Sequence, residues 1–292
     1  MNISPKVDIA FKKIFGVEEN KDLLISLINS IVSDEDKVAD LTLLNPYNLK
    51  NYREDKLSIL DIKAKGIDGK LFNIEIQIAD EADYDKRALY YWGKLYTEQL
   101  RSGEHYSKLS KAIGIHILNF LSIPKDGKYH NVFKIKEKED NFEYFKDLEL
   151  HTIELTKFTS NEEGLEEFVK KIKNALDVWV AFLTRNDLLR DIELPKNLDV
   201  PEVNKALHVL EVMNFTAEER AVYEGQFKWL WIEDNALKKA KDDGIEEGIE
   251  QGKEERNIEI AINLIEQGID LSIIATATGL TIEELTELKK QI

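Results

Sequence analysis

Asp61 and Glu75 are the two side chains in this 292-residue sequence best placed to do chemistry, with thirteen residues between them and Ile76-Gln77 directly after the second. Around them Ile62 and Ala64 alternate with Asp61 and Lys63, and Phe72, Ile74, Ile76 and Ile78 alternate with Asn73, Glu75 and Gln77. That alternation predicts two strands, each with an apolar and a polar face, joined at Gly66-Ile67-Asp68-Gly69. Matching apolar to apolar pairs Leu60 with Ile76, Ile62 with Ile74 and Ala64 with Phe72, which leaves Ile67-Asp68-Gly69 as the loop. Gly69 is placed to supply the positive φ on which such a loop ends. The same register sets Asp61 opposite Glu75. Carboxylates so opposed have Cβ atoms roughly 4.5–5.5 Å apart and repel unless something positive sits between them. Mg²⁺, which takes one or two carboxylates plus waters and phosphate oxygens, would relieve the repulsion with the Ile76 carbonyl as a further ligand; Mn²⁺ could replace it. A solvated strand face neutralised by Lys63 and Lys65 is the other reading.

The elements that must hold this pair can be read on either side of it. Residues 5–15 predict a helix with Ser4 as N-cap, Pro5 in the first turn, and Val7, Phe11, Ile14 and Phe15 on one face, stopped by Gly16. Asp8 and Lys12 lie one turn apart on the other face, as an ordinary i, i+4 ion pair would. Residues 22–31 continue helically, 38–44 read as a strand, and Asn45-Pro46-Tyr47 turns the chain toward the hairpin. After the hairpin, 83–102 predicts a long helix with Leu89, Trp92, Leu95, Tyr96 and Gln99 along one side and Gly103 as its stop. Residues 112–120, AIGIHILNF, form an apolar run of buried-strand length, and 130–138 and 148–155 add two more strands to a mixed sheet. His116 inside the first of these reads as a core or strand-face histidine rather than a ligand, since no second histidine lies at a metal-binding spacing.

Three further runs accompany the carboxylate pair: DIAFKKIFG from Asp8, RALYYW from Arg87, and GIEEGIEQG from Gly244. Together with Asp61 and Glu75-Ile76-Gln77 they resemble, in order and over nearly the whole chain, the recombination-promoting nuclease (Rpn) and transposase-like family of the PD-(D/E)XK superfamily. The resemblance implies an α/β fold, a restriction-endonuclease-like mixed central sheet flanked by helices, followed by an all-helical C-terminal region. It implies a Mg²⁺-dependent DNA endonuclease with Asp61, Glu75 and the Ile76 carbonyl on the metal, and an acid from the first helix, Asp8, nearby. The sequence departs from the family pattern at Gln77, which stands where the E-x-K lysine belongs and cannot carry its charge. Lys86, Arg87, Tyr91 and Lys94 on the following helix are the candidates to replace it. Arg87 leads, because a guanidinium grips a phosphate with two bonds. The other reading pairs Lys86 and Arg87 with Asp83 and Asp85 on the surface.

The formal net charge of −16 argues against loose nucleic-acid binding, where phosphate attraction is the main sequence-independent contribution. Its distribution matters more: residues 1–120 hold 17 Lys and Arg against 19 Asp and Glu, a net of −2, and the remaining −14 falls on residues 121–292. The absence of cysteine excludes disulfides and thiolate metal sites and suits a reducing cytoplasm. No run approaches the roughly 20 apolar residues of a membrane span, and no basic-then-apolar leader opens the chain, so a soluble, cytoplasmic protein is expected.

From residue 161 the composition becomes helical. Phe168, Ile172, Leu176, Trp179 and Phe182 share a face over 165–183, residues 201–213 form another amphipathic segment, and Thr216-Ala217-Glu218-Glu219 is a capping box opening a third. Gly244, Gly248 and Gly252 then recur every fourth residue, either as a stripe that lets a second helix approach or as a flexible, partly helical linker, the favoured reading. The stretch LSIIATATGLTIEEL resembles a helix-turn-helix, but Glu283, Glu284 and Glu287 on its last helix would repel phosphate. Protein partners or oligomerisation are the expectation there. The expected organisation is thus a nuclease core over 1–160, a helical extension over 161–240 packed on it, and a Gly-rich linker with a small helical module over 241–292. Two copies would cut two strands. The alternative is a weak or inactive descendant that binds DNA or protein on the same scaffold.

Overall fold

The computed structural model describes residues 3–47, 61–80, 83–123, 127–158, 164–189 and 200–291. Its helices are α1 (Asp8–Phe15), α2 (Lys21–Ile31), α3 (Tyr84–Thr97), α4 (Leu155–Phe158), α5 (Leu165–Lys171), α6 (Ala175–Leu189), α7 (Pro201–Val212), α8 (Ala217–Glu266), α9 (Leu271–Thr278) and α10 (Ile282–Gln291). Its strands are β1 (Leu41–Leu43), β2 (Asp61–Gly66), β3 (Leu71–Gln77), β4 (Ala112–Leu118), β5 (His130–Phe133) and β6 (Leu148–Glu154). The strands form one sheet in the order β1-β2-β3-β4-β6-β5; β3, β4 and β6 run parallel and the other pairings are antiparallel. The chain divides into two compact units, Met1–Leu230 and Trp231–Ile292.

The hairpin forms in the register that its alternation demands. Ile62 faces Ile74, Ala64 faces Phe72 and Asp61 faces Glu75; Leu60, expected opposite Ile76, lies outside the described residues. The turn closes with Gly66 N–H on the Lys70 carbonyl at 2.9 Å, and Gly69 takes φ +90°. A β-carbon at Gly69 would also stand 3.1 Å from Ser110 Oγ.

Alternation carries the two faces across the sheet. Phe72, Ile74 and Ile76 of β3 and Ile113, Ile115 and Ile117 of β4 join the main core with Phe11, Ile14 and Phe15 of α1, the apolar side of α2, and Trp179 and Phe182 of α6. Phe15 meets Trp179 edge-on at 5.4 Å between ring centroids. The opposite face is covered by α3, through Leu95, Trp92 and Tyr96 against Leu71 and Ala112, and through Tyr84 and Ala88 against Leu118 and Phe120. Trp92 Nε1–H donates to the Ala112 carbonyl at 2.8 Å, which ties the helix to β4.

Several element boundaries depart from the expectation, each for a local reason. The first helix starts at Asp8 rather than near Pro5, because the Ser4 amide goes to Tyr223 Oη at 2.9 Å and its carbonyl closes a turn on Val7 at 3.3 Å. Asp8 and Lys12 make the expected i, i+4 pair at 4.0 Å, and both are buried, 3 % and 7 % exposed. The helix after the hairpin ends at Thr97, where Gln99 turns inward to bracket the Ser110 backbone at 2.8 and 2.9 Å; Leu89 is exposed and Ala88 takes its place inside. The helix expected over 165–183 is broken: Asn174 and Asp177 cap one another, Asp177 N–H on Asn174 Oδ1 at 3.0 Å and Asn174 N–H on Asp177 Oδ2 at 3.1 Å, so α6 starts afresh. The shared apolar face survives the break, since Phe168, Ile172, Leu176, Trp179 and Phe182 are all buried.

The capping box forms as read. Glu219 N–H meets Thr216 Oγ1 at 3.2 Å and Thr216 N–H meets Glu219 Oε2 at 2.9 Å, while Lys13 Nζ and Tyr47 Oη both reach Glu219 Oε1 at 2.8 Å. The start of α8 is thereby locked to α1. Through the glycine repeat the chain is α-helical, not a loose linker, and a β-carbon on Gly244, Gly248 or Gly252 would meet nothing within 4 Å. Glu246, Glu247, Glu250 and Gln251 between the glycines are good helix formers and offset part of the roughly 1 kcal/mol that each glycine costs a helix.

In the C-terminal unit Ala261 and Ile265 at the end of α8 pack with Ile274 of α9 and Leu285 of α10. Gly268 and Gly279 end the two preceding helices, both at φ +76°. Asp270 caps α9 by accepting from Ser272 N–H at 2.8 Å, and Thr281 and Glu284 make a reciprocal cap for α10 at 2.8 and 3.3 Å.

At the opposite end of the sheet from the hairpin acids, a chain of charges braces the last strands. His130 Nε2 lies 2.9 Å from His151 Nδ1, His151 Nε2 2.8 Å from Glu149 Oε1, and Lys111 Nζ joins Glu149 at 2.7 Å to Asp36 at 2.6 Å. Burial alone would raise the Glu149 carboxyl, yet the bonds from His151 and Lys111 outweigh it and hold the group at about 2. For His130 burial comes first and the neighbouring His151 second, and the two push the imidazole down to about 4.

Candidate nuclease site

The site is built at the carboxyl end of β3. Residues directly paired across neighbouring strands point to one side of the sheet, so Glu75 and Gln77 project toward α3 while Ile74 and Ile76 enter the core. Glu75 is 1 % exposed and Gln77 5 %. Arg87, in the first turns of α3, reaches down to both: one Nη2 donates to Glu75 Oε1 at 3.0 Å and to Gln77 Oε1 at 2.8 Å. Its guanidinium also lies over the Tyr84 ring, 5.1 Å from the centroid. Gln77 Nε2–H donates to the Ala79 carbonyl at 3.2 Å, which turns its oxygen toward the guanidinium. A positive charge therefore arrives beside position 77 from the helix rather than from the strand.

Of the other candidates on α3, Lys86 pairs with Asp83 on the surface, Lys94 lies 3.6 Å from Glu98, and Tyr91 stacks edge-on with Tyr90. The surface pairing expected as the bland reading for this helix holds for Lys86 and not for Arg87. Asp61 is in register with Glu75 on β2, and Ile76 sits between Glu75 and Gln77 with its side chain in the core. Asp8 comes from α1, buried, with Lys12 as ion-pair partner.

The second oxygen of Glu75, Oε2, is buried and has no hydrogen-bond partner among the described residues. Leaving such an acceptor unmatched costs about 1–3 kcal/mol, more for a charged group, so the oxygen is suited to a cation or donor that arrives from outside. Among the described residues no three His, Cys, Asp or Glu side chains cluster as a metal cage. One or two carboxylates completed by a carbonyl, waters and phosphate is the pattern of Mg²⁺ rather than of a preformed cage, and the all-oxygen donor set fits a hard divalent ion.

His116 is the buried strand-face histidine that the sequence predicts, and its place beside Glu75 is what the sequence did not foretell. It is the β4 partner of Glu75 in the strand register, 2 % exposed, with Nδ1 2.8 Å from Tyr84 Oη and 3.6 Å from Glu75 Oε2. Nothing in the local pattern of AIGIHILNF signals this, because the neighbour of His116 lies some forty residues earlier on a parallel strand.

A mixed six-stranded sheet flanked by helices, with Asp61 and Glu75 paired in register on its hairpin, has the fold of a PD-(D/E)XK nuclease. The match is specific: residues 5–240 correspond to the family described as PD-(D/E)XK nuclease family transposase, and the chain belongs to it. Residues 254–290 match the C-terminal HTH domain of the Rpn/YhgA-like nuclease family, in agreement with the three-helix packing seen there. No curated protein and no solved structure matches the chain. No helix of the described residues is long and apolar enough to cross a membrane.

Proposed function

We propose that this protein is a metal-dependent DNA endonuclease that hydrolyses phosphodiester bonds in transposase-like or recombination-related DNA processing. The observation that carries the reading is the unmatched Oε2 of a buried Glu75, in register with Asp61 and flanked by a guanidinium. Asp61, Glu75 and the Ile76 carbonyl would hold Mg²⁺ or Mn²⁺. When bound, the cation supplies Lewis acidity, which acidifies a water and offsets charge on the scissile phosphate. Arg87 supplies the positive charge that Gln77 lacks: it clamps a phosphate oxygen and steadies the negative charge that builds as the bond breaks. Gln77 orients the guanidinium and can donate to the attacking water through its amide. Asp8 helps to position the cation from α1. Cutting both strands takes two copies of the chain, and the protein acts in the cytoplasm.

DNA is the partner of the core, whose first 120 residues are close to neutral. The C-terminal unit carries the family's HTH, yet residues 254–290 hold 3 Lys and Arg against 8 Asp and Glu. Long-range attraction to phosphate is weak there, and contacts to protein partners or the second copy suit that surface better.

A second reading, a weak or inactive descendant that binds DNA or protein, is favoured by the neutral side chain at Gln77. Nicking of supercoiled plasmid with Mg²⁺ or Mn²⁺ decides between them. Cutting by the parent chain that disappears in Asp61→Ala is the expected result. No cutting by either would support the second reading, and equal cutting by both would place the activity elsewhere.

A further inference from the structure

Strand pairing lines up one residue from each of five strands in a single row: Asp61, Glu75, His116, Thr152 and Asn131. Paired residues share a face, so Glu75 and His116 at its centre look toward α3. Its middle is short of partners. Glu75 Oε2, His116 Nε2 and Thr152 Oγ1 are all buried without a hydrogen bond among the described residues. The imidazole stands between the Tyr84 hydroxyl, 2.8 Å from Nδ1, and Glu75 Oε2, 3.6 Å from the same nitrogen.

The two neutral tautomers of His116 differ in cost. A proton on Nε2 lets the Tyr84 O–H donate to Nδ1 but buries an N–H with no acceptor and turns the Nδ1 lone pair toward a carboxylate oxygen. A proton on Nδ1 donates to Tyr84 Oη at 2.8 Å, leaves only the Nε2 acceptor unmatched, the lesser penalty, and turns the positive end of the N–H toward the Glu75 carboxylate at 3.6 Å, past hydrogen-bond length. The geometry points to His116 as a positioning residue for Glu75. Its Nδ1–H, bonded to Tyr84, sets a positive dipole beside the carboxylate that favours the orientation offering Oε2 to a divalent cation, while Arg87 holds Oε1. This role rests on the metal-site reading above. Partners of this kind behind a ligating carboxylate commonly change metal affinity by about 10- to 100-fold.

The test is Mn²⁺ binding to the full-length chain without DNA, with free ion followed by electron paramagnetic resonance. Wild type, Glu75→Gln, His116→Asn, His116→Gln and His116→Leu are compared, with circular dichroism as the check on folding. Asn carries an amide N–H near the Nδ1 position, whereas Gln carries it toward Nε2. His116→Asn is expected within about threefold of wild type, and His116→Gln and His116→Leu about tenfold or more weaker. Equal affinity of the Asn and Gln variants, whether high or low, overturns the role. Should His116→Leu fail to fold, the Asn and Gln comparison stands alone. Wild type that takes up no Mn²⁺, or Glu75→Gln that binds as tightly, sinks the metal reading and this role with it. That outcome is distinct from one in which Glu75→Gln fails and the His116 variants bind normally, which removes the positioning role alone.

Discussion

Replacing Arg87 with alanine isolates the electrostatic logic of the site. Glu75 is 1 % exposed and Arg87 24 %, so the substitution strands a charged carboxylate in the interior and removes two hydrogen bonds, of 3.0 and 2.8 Å. Removing one partner of a buried ion pair costs about 3–5 kcal/mol, and the partial exposure of the arginine argues for the lower end, about 3 kcal/mol. For a unit of this size that is roughly 6–12 °C in Tm. The loss should be largest in chelator and smaller in Mg²⁺, because a cation at Glu75 replaces some of the missing charge. Neutralising both groups, Glu75→Gln with Arg87→Met, should recover most of the loss, since no charge is then stranded. Urea unfolding followed by tryptophan fluorescence, in EDTA and in Mg²⁺, measures all three effects. A loss below about 1 kcal/mol in EDTA, or a double variant whose loss is the sum of the singles, would refute the idea that Arg87 compensates Glu75.

Gln77→Lys, which restores the lysine of the family pattern, should lower Tm because it brings an ammonium against a guanidinium now 2.8 Å from the position 77 oxygen. Two like charges 4 Å apart at an effective dielectric of 20 repel by about 4 kcal/mol before Glu75 offsets part of it. Adding Arg87→Met should restore Tm, and a Tm unchanged by Gln77→Lys would show that the two cations do not compete for one place. At the far end of the sheet, the His130 imidazole is pushed from its ordinary 6.5 to about 4 by burial and by His151. Because its folded pKa is the lower one, the unfolded chain binds the extra proton, and stability present above pH 6.5 drains away as pH falls toward 4, at about 1.4 kcal/mol per pH unit. His130→Phe should flatten the dependence of the urea midpoint over that window; an unchanged slope would assign it to other groups.

How much of this protein is written locally can be judged from the hairpin and its neighbours. The pairing of Asp61 with Glu75 was legible because a period of two and a three-residue turn leave one register that buries Ile62, Ile74, Ala64 and Phe72 together. The apolar faces of α1, α2 and α6 and the capping box at Thr216 were legible for the same reason, since side-chain period and cap chemistry act within a few residues. Interruptions within a helical face escaped that reasoning. The break between α5 and α6 depends on a reciprocal Asn174–Asp177 cap, and the unbroken helix through Gly244, Gly248 and Gly252 overrides weak propensity.

Tertiary structure alone decided which charges meet. The run RALYYW offers Arg87 and Lys86 side by side, and only the docking of α3 on the sheet sends the first to Glu75 and Gln77 and leaves the second with Asp83. Likewise His116 becomes the neighbour of Glu75 because β4 pairs in parallel with β3, a contact made across a helical crossover. Local sequence sets the period and the face, whereas a buried polar contact between distant segments is fixed by the packing of whole elements against one another.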